Sequence, residues 1–320
     1  MYVTKGPIQG QRILEALDRH SGSLRRLVLS GLRQRTLVAL NQLRNCKALE
    51  GLSLGTWELD ADLPNFDFAW SETAVYNQVV EWLQNCSQQT DLTLRLPSGT
   101  QLLKELLTGP KLRLESLEVV EIEVGAPWYN ELHHQARLKS LDVRVPNSGL
   151  RELGPASGRC QGLAIGISRC SELTALVTEE YLSVADITKI SEGALKLERI
   201  DFSGTLIHDA HIMPLANLSH LKEVVVRGVS TFTASGIIRF LEKMGENPDH
   251  DHKRFYFFTD GAYGATIGPE DYRRMCETAE RVFRGKLTIG YIDKREYVDG
   301  EDDDHNELNS FQIAPLTVVN

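Results

Sequence analysis

Apolar positions recur along the chain in a short frame, Leu-x-x-Leu-x-Leu, with polar or charged residues between them. Clear instances are LRRLVL from Leu24, LEGLSL from Leu49, LESLEV from Leu114, LKSLDV from Leu138, LTALVT from Leu173, LERIDF from Leu197 and LKEVVV from Leu221. A weaker one, QTDLTL, begins at Gln89. Their starts are separated by 25, 40, 25, 24, 35, 24 and 24 residues, so a unit of 24 to 25 residues repeats, lengthened twice by insertion. Strict alternation over so short a frame predicts a β-strand with its leucines on one face. Further strands are predicted around Phe255 to Phe258 and Leu287 to Ile289.

Between the strands the spacing changes to that of helices. Leu37, Leu40 and Leu43 recur at three, Val75, Val79 and Trp82 at four and three, and Leu102, Leu103, Leu106 and Leu107 share one face. Ile237, Ile238, Leu241 and Met244 make another stripe. GPEDYRRMCETAERVF places Pro269 where a first-turn proline is tolerated, and Tyr272, Met275, Cys276, Ala279 and Phe283 continue its stripe. Each unit is therefore strand, turn, helix. A unit of this size cannot bury its own apolar face, so successive units have to stack into a continuous core. The predicted fold is an α/β solenoid of about ten irregular repeats.

Cysteine recurs three residues ahead of the leading leucine, in Cys46-x-x-Leu49-x-x-Leu52-x-Leu54 and Cys170-x-x-Leu173-x-x-Leu176, and Cys86 stands three before Gln89. These residues resemble the cysteine-containing class of leucine-rich repeats, with its ribonuclease-inhibitor-like solenoid, over roughly Leu24 to Ile292. The resemblance implies parallel strands on a concave face and helices on a convex one. It is strongest to divergent fungal F-box/leucine-rich-repeat proteins, which implies substrate recognition for a cullin-RING ubiquitin ligase. The F-box itself is not recognisable, because only 23 residues precede Leu24 and Leu63-Pro64 lies inside the array. A cullin adaptor is thus an expected partner only if an F-box is encoded upstream. Cys46 is expected at a helix end, pointing inward as a small apolar group, since no neighbouring cation is placed to make a thiolate.

Charge refines this picture. The chain of 320 residues has a formal net charge of −9, of which −6 falls between Asp293 and Glu307. A nearly neutral body offers no broad attraction to nucleic-acid phosphates or an anionic membrane, so neither is expected as a partner. No apolar run approaches a membrane span or a secretory signal, which predicts an intracellular protein of cytoplasm or nucleus. Five cysteines without a Cys-x-x-Cys pair or tight Cys/His cluster suggest reduced thiols and no zinc. Three segments are expected: an N-terminal capping helix region at 1–23 containing Ile13, Leu14 and Leu17, the solenoid at 24–292, and an acidic disordered tail at 293–320.

The leucines face the core, so the residues between them face the other side of the sheet. Those expected to meet a protein partner are Arg95, Glu118, Asp142, Arg144, Glu179, Arg199, Asp201, Glu223, Arg227, Arg254, Tyr256 and Phe258. Arginine beside an aromatic anchor is the mixture enriched at interfaces, which singles out Arg254, Tyr256 and Phe258. No cofactor and no catalytic residue is predicted. His208, Asp209 and His211 are ligand types in a predicted loop, as are Asp249 to His252, but no further ligands are identified for either. DGEDDDHNE lacks EF-hand spacing, and DGAYGATIG lacks the lysine of a phosphate-binding loop. Trp82 belongs to a helix stripe, while Trp57, Trp70 and Trp128 are read as loop braces or a rim site. The sequence thus points to a non-catalytic interaction module, a ligase substrate receptor or an F-box-less relative, with a regulator of another protein such as a small GTPase as the alternative.

Overall fold

The strands begin two residues after each repeat start, because the leading leucine turns the chain inward before the frame becomes extended. A computed structural model describes residues 2–3, 17–29, 38–55, 74–95, 99–109, 111–120, 127–144, 161–247, 254–259, 268–283 and 286–290. Those residues fall into two compact units that meet between Leu173 and Thr174 in the sequence.

The first unit carries β1 (Tyr2–Val3), β2 (Arg26–Leu29), β3 (Gly51–Gly55), β4 (Asp91–Arg95), β5 (Ser116–Val120) and β6 (Ser140–Arg144), all parallel and in chain order. Register aligns the leucines of successive frames: Leu27, Leu52, Leu92, Leu117 and Leu141 stand side by side, and so do Leu29, Leu54, Leu94, Val119 and Val143. All are buried. The ladder extends just upstream of the strands, where Thr90 N–H donates to Glu50 O, Glu115 N–H to Thr90 O and Lys139 N–H to Glu115 O. The connections include α1 (Ala74–Asn85), α2 (Thr100–Thr108) and α3 (Gln161–Ile167), with 3-10 helices at Val38–Leu43 and Pro127–His134. The stripe Leu40/Leu43 therefore forms a 3-10 helix, not an α-helix. Its larger rise per residue lets a 25-residue unit return to the sheet with fewer residues. In the N-terminal segment Leu17 and Asp18 are helical, and Tyr2–Val3 is a strand that pairs with Val28 and Leu29. A short strand there satisfies the ladder groups that β2 would otherwise leave open. Leu17 is buried, whereas Ile13 and Leu14 lie outside the described residues.

The second unit repeats the plan with β7 (Ala175–Tyr181), β8 (Arg199–Ile207), β9 (Glu223–Ser230), β10 (Arg254–Thr259) and β11 (Lys286–Gly290), again parallel and in order. Between them lie α4 (Val184–Gly193), α5 (Asp209–Ile212) running into a 3-10 helix at Met213–Asn217, α6 (Ala234–Gly245) and α7 (Pro269–Val282). Leu176, Ile200, Val224 and Phe257 form one buried row. Helix starts follow local chemistry. Ser183 accepts from Asp186 N–H while Asp186 accepts from Ser183 N–H, a capping box, and Thr233 accepts from Gly236 N–H at the start of α6. Phe240, Phe255, Phe257, Phe232 and Phe283 fill the core near β10, with Phe255 and Phe283 stacked at 5.5 Å.

The repeated strand, turn and helix, parallel pairing in chain order and the aligned leucine rows make this an α/β leucine-rich-repeat solenoid. The cysteines occupy the expected helix ends. Cys86 Sγ lies 3.4 Å from Cys46 O, the equivalent residue one repeat earlier, and Cys170 Sγ lies 3.6 Å from Leu132 O. Burial pushes the Cys46 thiol up to about 11 and those of Cys86 and Cys170 to about 12, so these are packing groups and not nucleophiles.

Candidate functional site

On the sheet face turned away from the helices, residues between the core rows line up across strands. In the first unit one such row is Val28, Ser53, Thr93, Glu118 and Asp142, and the next includes Arg95, Val120 and Arg144. Thr93 Oγ1 donates to Glu118 Oε2 at 3.2 Å. Arg144 holds Asp142 through Nε and Nη2 at 3.0 and 2.7 Å. Arg95 and Arg144 are exposed.

The second unit brings more of the predicted residues together. Ala175, Arg199, Glu223 and Tyr256 form one row, and Val177, Asp201, Val225 and Phe258 form the next. Asp201 is at the centre, only 2% exposed, and Arg227 donates to both its carboxylate oxygens from Nε and Nη2 at 2.8 and 2.9 Å. Arg199 Nη2 lies 3.6 Å from the same carboxylate, and Arg199 Nε lies 3.6 Å from Glu223 Oε1. Asp201 is therefore a buried anchor and not the solvated contact that alternation alone suggests. Two long arginine stems and the flanking valine row cover it. A fork-to-fork pair of this kind fixes the guanidinium plane, so Arg227 is held in a defined orientation with about half its side chain open to solvent.

Beside this network Tyr256 is 37% exposed, and its ring is parallel to that of Phe258 at a centroid distance of 6.4 Å. For Arg254 the structure gives the backbone, paired with Lys286. Glu179 sits where the β7–β8 register slips between Thr178 and Tyr181, so no residue of β8 stands in register with it, while the burial alternation keeps it on the same face as Val177. Gly204 and Gly228 are cross-strand partners further along β8 and β9, and a Cβ on Gly228, whose φ is +93°, would lie 2.5 Å from Gly204 O. Glycine there lets the strands approach closely and bend beyond the arginine network.

The other candidate chemistry resolves into local structure. Asp209 and His211 belong to α5, not to a loop. His208 caps that helix by accepting from Ala210 N–H, and His211 Nδ1 accepts from His208 N–H. Asp209 accepts from both the N–H and the hydroxyl of Thr233 in the next repeat, at 2.9 and 2.7 Å. These three side chains are thus committed to capping and to tying repeats together. Trp128 is fully buried, edge-on to Tyr129 at 4.5 Å, and so is a core residue and not part of a rim. Trp57, Trp70, Asp249 to His252, DGEDDDHNE and residues 260–267 of the glycine-rich segment lie outside the described residues. Among the described residues no helix is long and apolar enough to cross a membrane.

Two features escaped the sequence pattern. Gln135 occupies the cysteine position of its repeat and bridges the preceding one, donating to Leu107 O and accepting from Leu114 N–H. The only sequence signal was its place three residues before Leu138. The second is a group of ligand side chains at Glu131, His133 and His134. It is spelled ELHH in the sequence, without the wider spacing by which a metal motif is usually found.

No family model matches the chain, and no curated protein matches it. Among solved structures it is similar to a chain of a complex described as TLR13 with ssRNA13, at 13% identity and a TM-score of 0.46, covering 86% of this chain and 38% of that one. It is also similar to an internalin, inlF, of Listeria monocytogenes, at 11% identity and a TM-score of 0.30, covering 89% and 94%. The chain thus spans well under half the length of the TLR13 chain. The fold assignment rests on the strand order and register described above.

Proposed function

We propose that the protein is a non-catalytic interaction module that binds a protein partner on the strand face of its repeats, centred on Arg199, Arg227, Tyr256 and Phe258. The observation that carries this reading is the exposed Tyr256, parallel to Phe258 and in register with Glu223, whose neighbour Arg199 also reaches the buried Asp201. Exposed aromatics beside pre-oriented guanidinium groups are the side chains that dominate binding energy at interfaces, because little conformational freedom remains to be lost on docking. Glu179, Glu223 and Arg254 complete the proposed surface in the second unit, and Arg95, Glu118, Asp142 and Arg144 form the strand-face set of the first; each carries charges of both signs, which suits a partner of mixed polarity better than a polyanion. The finer role is substrate recognition for a cullin-RING ubiquitin ligase, or that of an F-box-less relative. It rests on the resemblance of the Cys46 to Leu54 repeat to the cysteine-containing class. A regulator of a small GTPase is the alternative.

The test is affinity purification of the tagged chain alongside an Arg199→Ala/Tyr256→Ala variant, followed by titration of the captured protein in purified form. The expected result is a partner bound at least about 30-fold more weakly by the variant, the loss of two anchor side chains. Equal affinity of the two proteins overturns the assignment of the face. Capture of cullin adaptor and scaffold subunits supports the ligase role, whereas a small GTPase as the direct partner replaces it.

A further inference from the structure

The 3-10 helix Pro127–His134 presents a chemistry that the strand face does not use. Its inward side is anchored by Trp128, Tyr129 and Leu132, all buried, and by α3, whose Gly166 packs against Tyr129 O. With those residues fixed, Glu131, His133 and His134 point outward from one rigid turn. One ligand atom from each lies within 4.8 Å of the other two. The imidazole centroids of His133 and His134 are 3.8 Å apart with their planes tilted by 38°, and His134 Nε2 is 3.4 Å from Glu131 Oε2. That separation matches the edge a tetrahedral ion imposes on two ligands at about 2.0–2.2 Å, roughly 3.4 Å. His133 Nδ1 is hydrogen-bonded to Asn130 O, which makes Nδ1 the protonated nitrogen and leaves the Nε2 lone pair for a ligand. A backbone carbonyl that accepts the other ring N–H commonly fixes the orientation of a metal-binding histidine.

We propose that Glu131, His133 and His134 form a binding site for a divalent transition cation of the zinc class. Two imidazoles and one carboxylate select borderline ions over magnesium or calcium, which favour all-oxygen sets. Three protein ligands leave at least one coordination position to water or to a donor from another molecule. The site is on the helix side of its unit and is independent of the proposed protein-binding face.

The experiment titrates the metal-free full chain with zinc by calorimetry and with cobalt by visible absorption, comparing wild type, His134→Ala and Glu131→Gln. His134 is exposed and Glu131→Gln keeps the shape of a part-buried side chain, so circular dichroism is expected to show both variants folded. Wild type is expected to bind one zinc saturably and to develop the cobalt band of a low-coordinate site. His134→Ala is expected to weaken zinc by at least about tenfold and abolish the band, with a smaller loss in Glu131→Gln. Zinc affinity within twofold of wild type in His134→Ala, or no saturable zinc binding by wild type at millimolar metal, overturns the proposal. So does magnesium binding as strongly as zinc.

Discussion

At the scale of single residues, buried polar groups separate repeats that fit their position from those that do not. Gln135 and Gln89 both lie in the core, yet Gln135 makes two hydrogen bonds to the preceding repeat, whereas neither amide atom of Gln89 finds a partner. Leucine fills the position of Gln89 in the repeats at Leu49, Leu138, Leu173, Leu197 and Leu221, each fully buried. A buried amide without partners costs about 1–3 kcal/mol, so Gln89→Leu is expected to stabilise the chain by about that amount, read as a higher denaturant midpoint at unchanged slope. His211 gives a pH dependence. Its proton affinity is lowered, foremost by burial and then by neighbouring His208. The folded chain therefore binds this proton less readily than the unfolded chain, whose histidine titrates near 6.5. The stabilising contribution is complete above about pH 7 and is lost as pH falls through the unfolded value toward the folded one. Urea midpoints measured on either side of that window are expected to fall less in His211→Gln than in wild type, and parallel curves would assign the acid sensitivity elsewhere.

At the scale of elements, short helices pack closely because small residues stand at their contacts. A Cβ on Gly166 of α3 would lie 2.2 Å from Tyr129 O and 3.2 Å from Leu132 Cβ, far inside normal contact. Since Tyr129 O is backbone, relief requires α3 to move as a unit. Gly166→Ala is expected to destabilise by about 1–3 kcal/mol despite alanine's better helix propensity, and an unchanged melting temperature would show that the two helices separate freely. The same reasoning explains why α5 and α6 are joined through Asp209 and Thr233: Gly236 has no Cβ, and one there would lie within 2.2 Å of the Asp209 carboxylate. Helix periodicity exposed the apolar stripes of α2, α6 and α7, because those depend on spacing alone. It missed the 3-10 form of Val38–Leu43, which depends on how far the chain has to travel back to the sheet.

At the scale of the whole molecule, a solenoid gains stability from neighbouring repeats, so a segment outside the repeats adds little. The acidic stretch 293–320 lacks the leucine frame, and we propose that it contributes nothing to the core. Chains ending at residue 292 are expected to unfold at the same temperature as the full chain, measured by calorimetry, and a lowered transition would identify the segment as a cap on the last repeat.

The sequence by itself determined the repeat, the strand positions and the inward-facing leucines and cysteines, because a period of two in each strand and of 24 to 25 between strands leaves one way to bury them. It also nominated the outward residues of the strand face. Only the tertiary structure decided which of these meet. Asp201 pairs with Arg227 because parallel register sets β8 beside β9 with Ser203 opposite Arg227, and that register carries Asp201 beneath two arginine stems, where alternation alone would leave it in solvent. Likewise, ELHH became a cluster of ligands only because the buried Trp128, Tyr129 and Leu132 fix a turn whose remaining side chains converge. Periodicity reports which side of an element a residue occupies, whereas distances between side chains depend on register and packing partners distant in the chain.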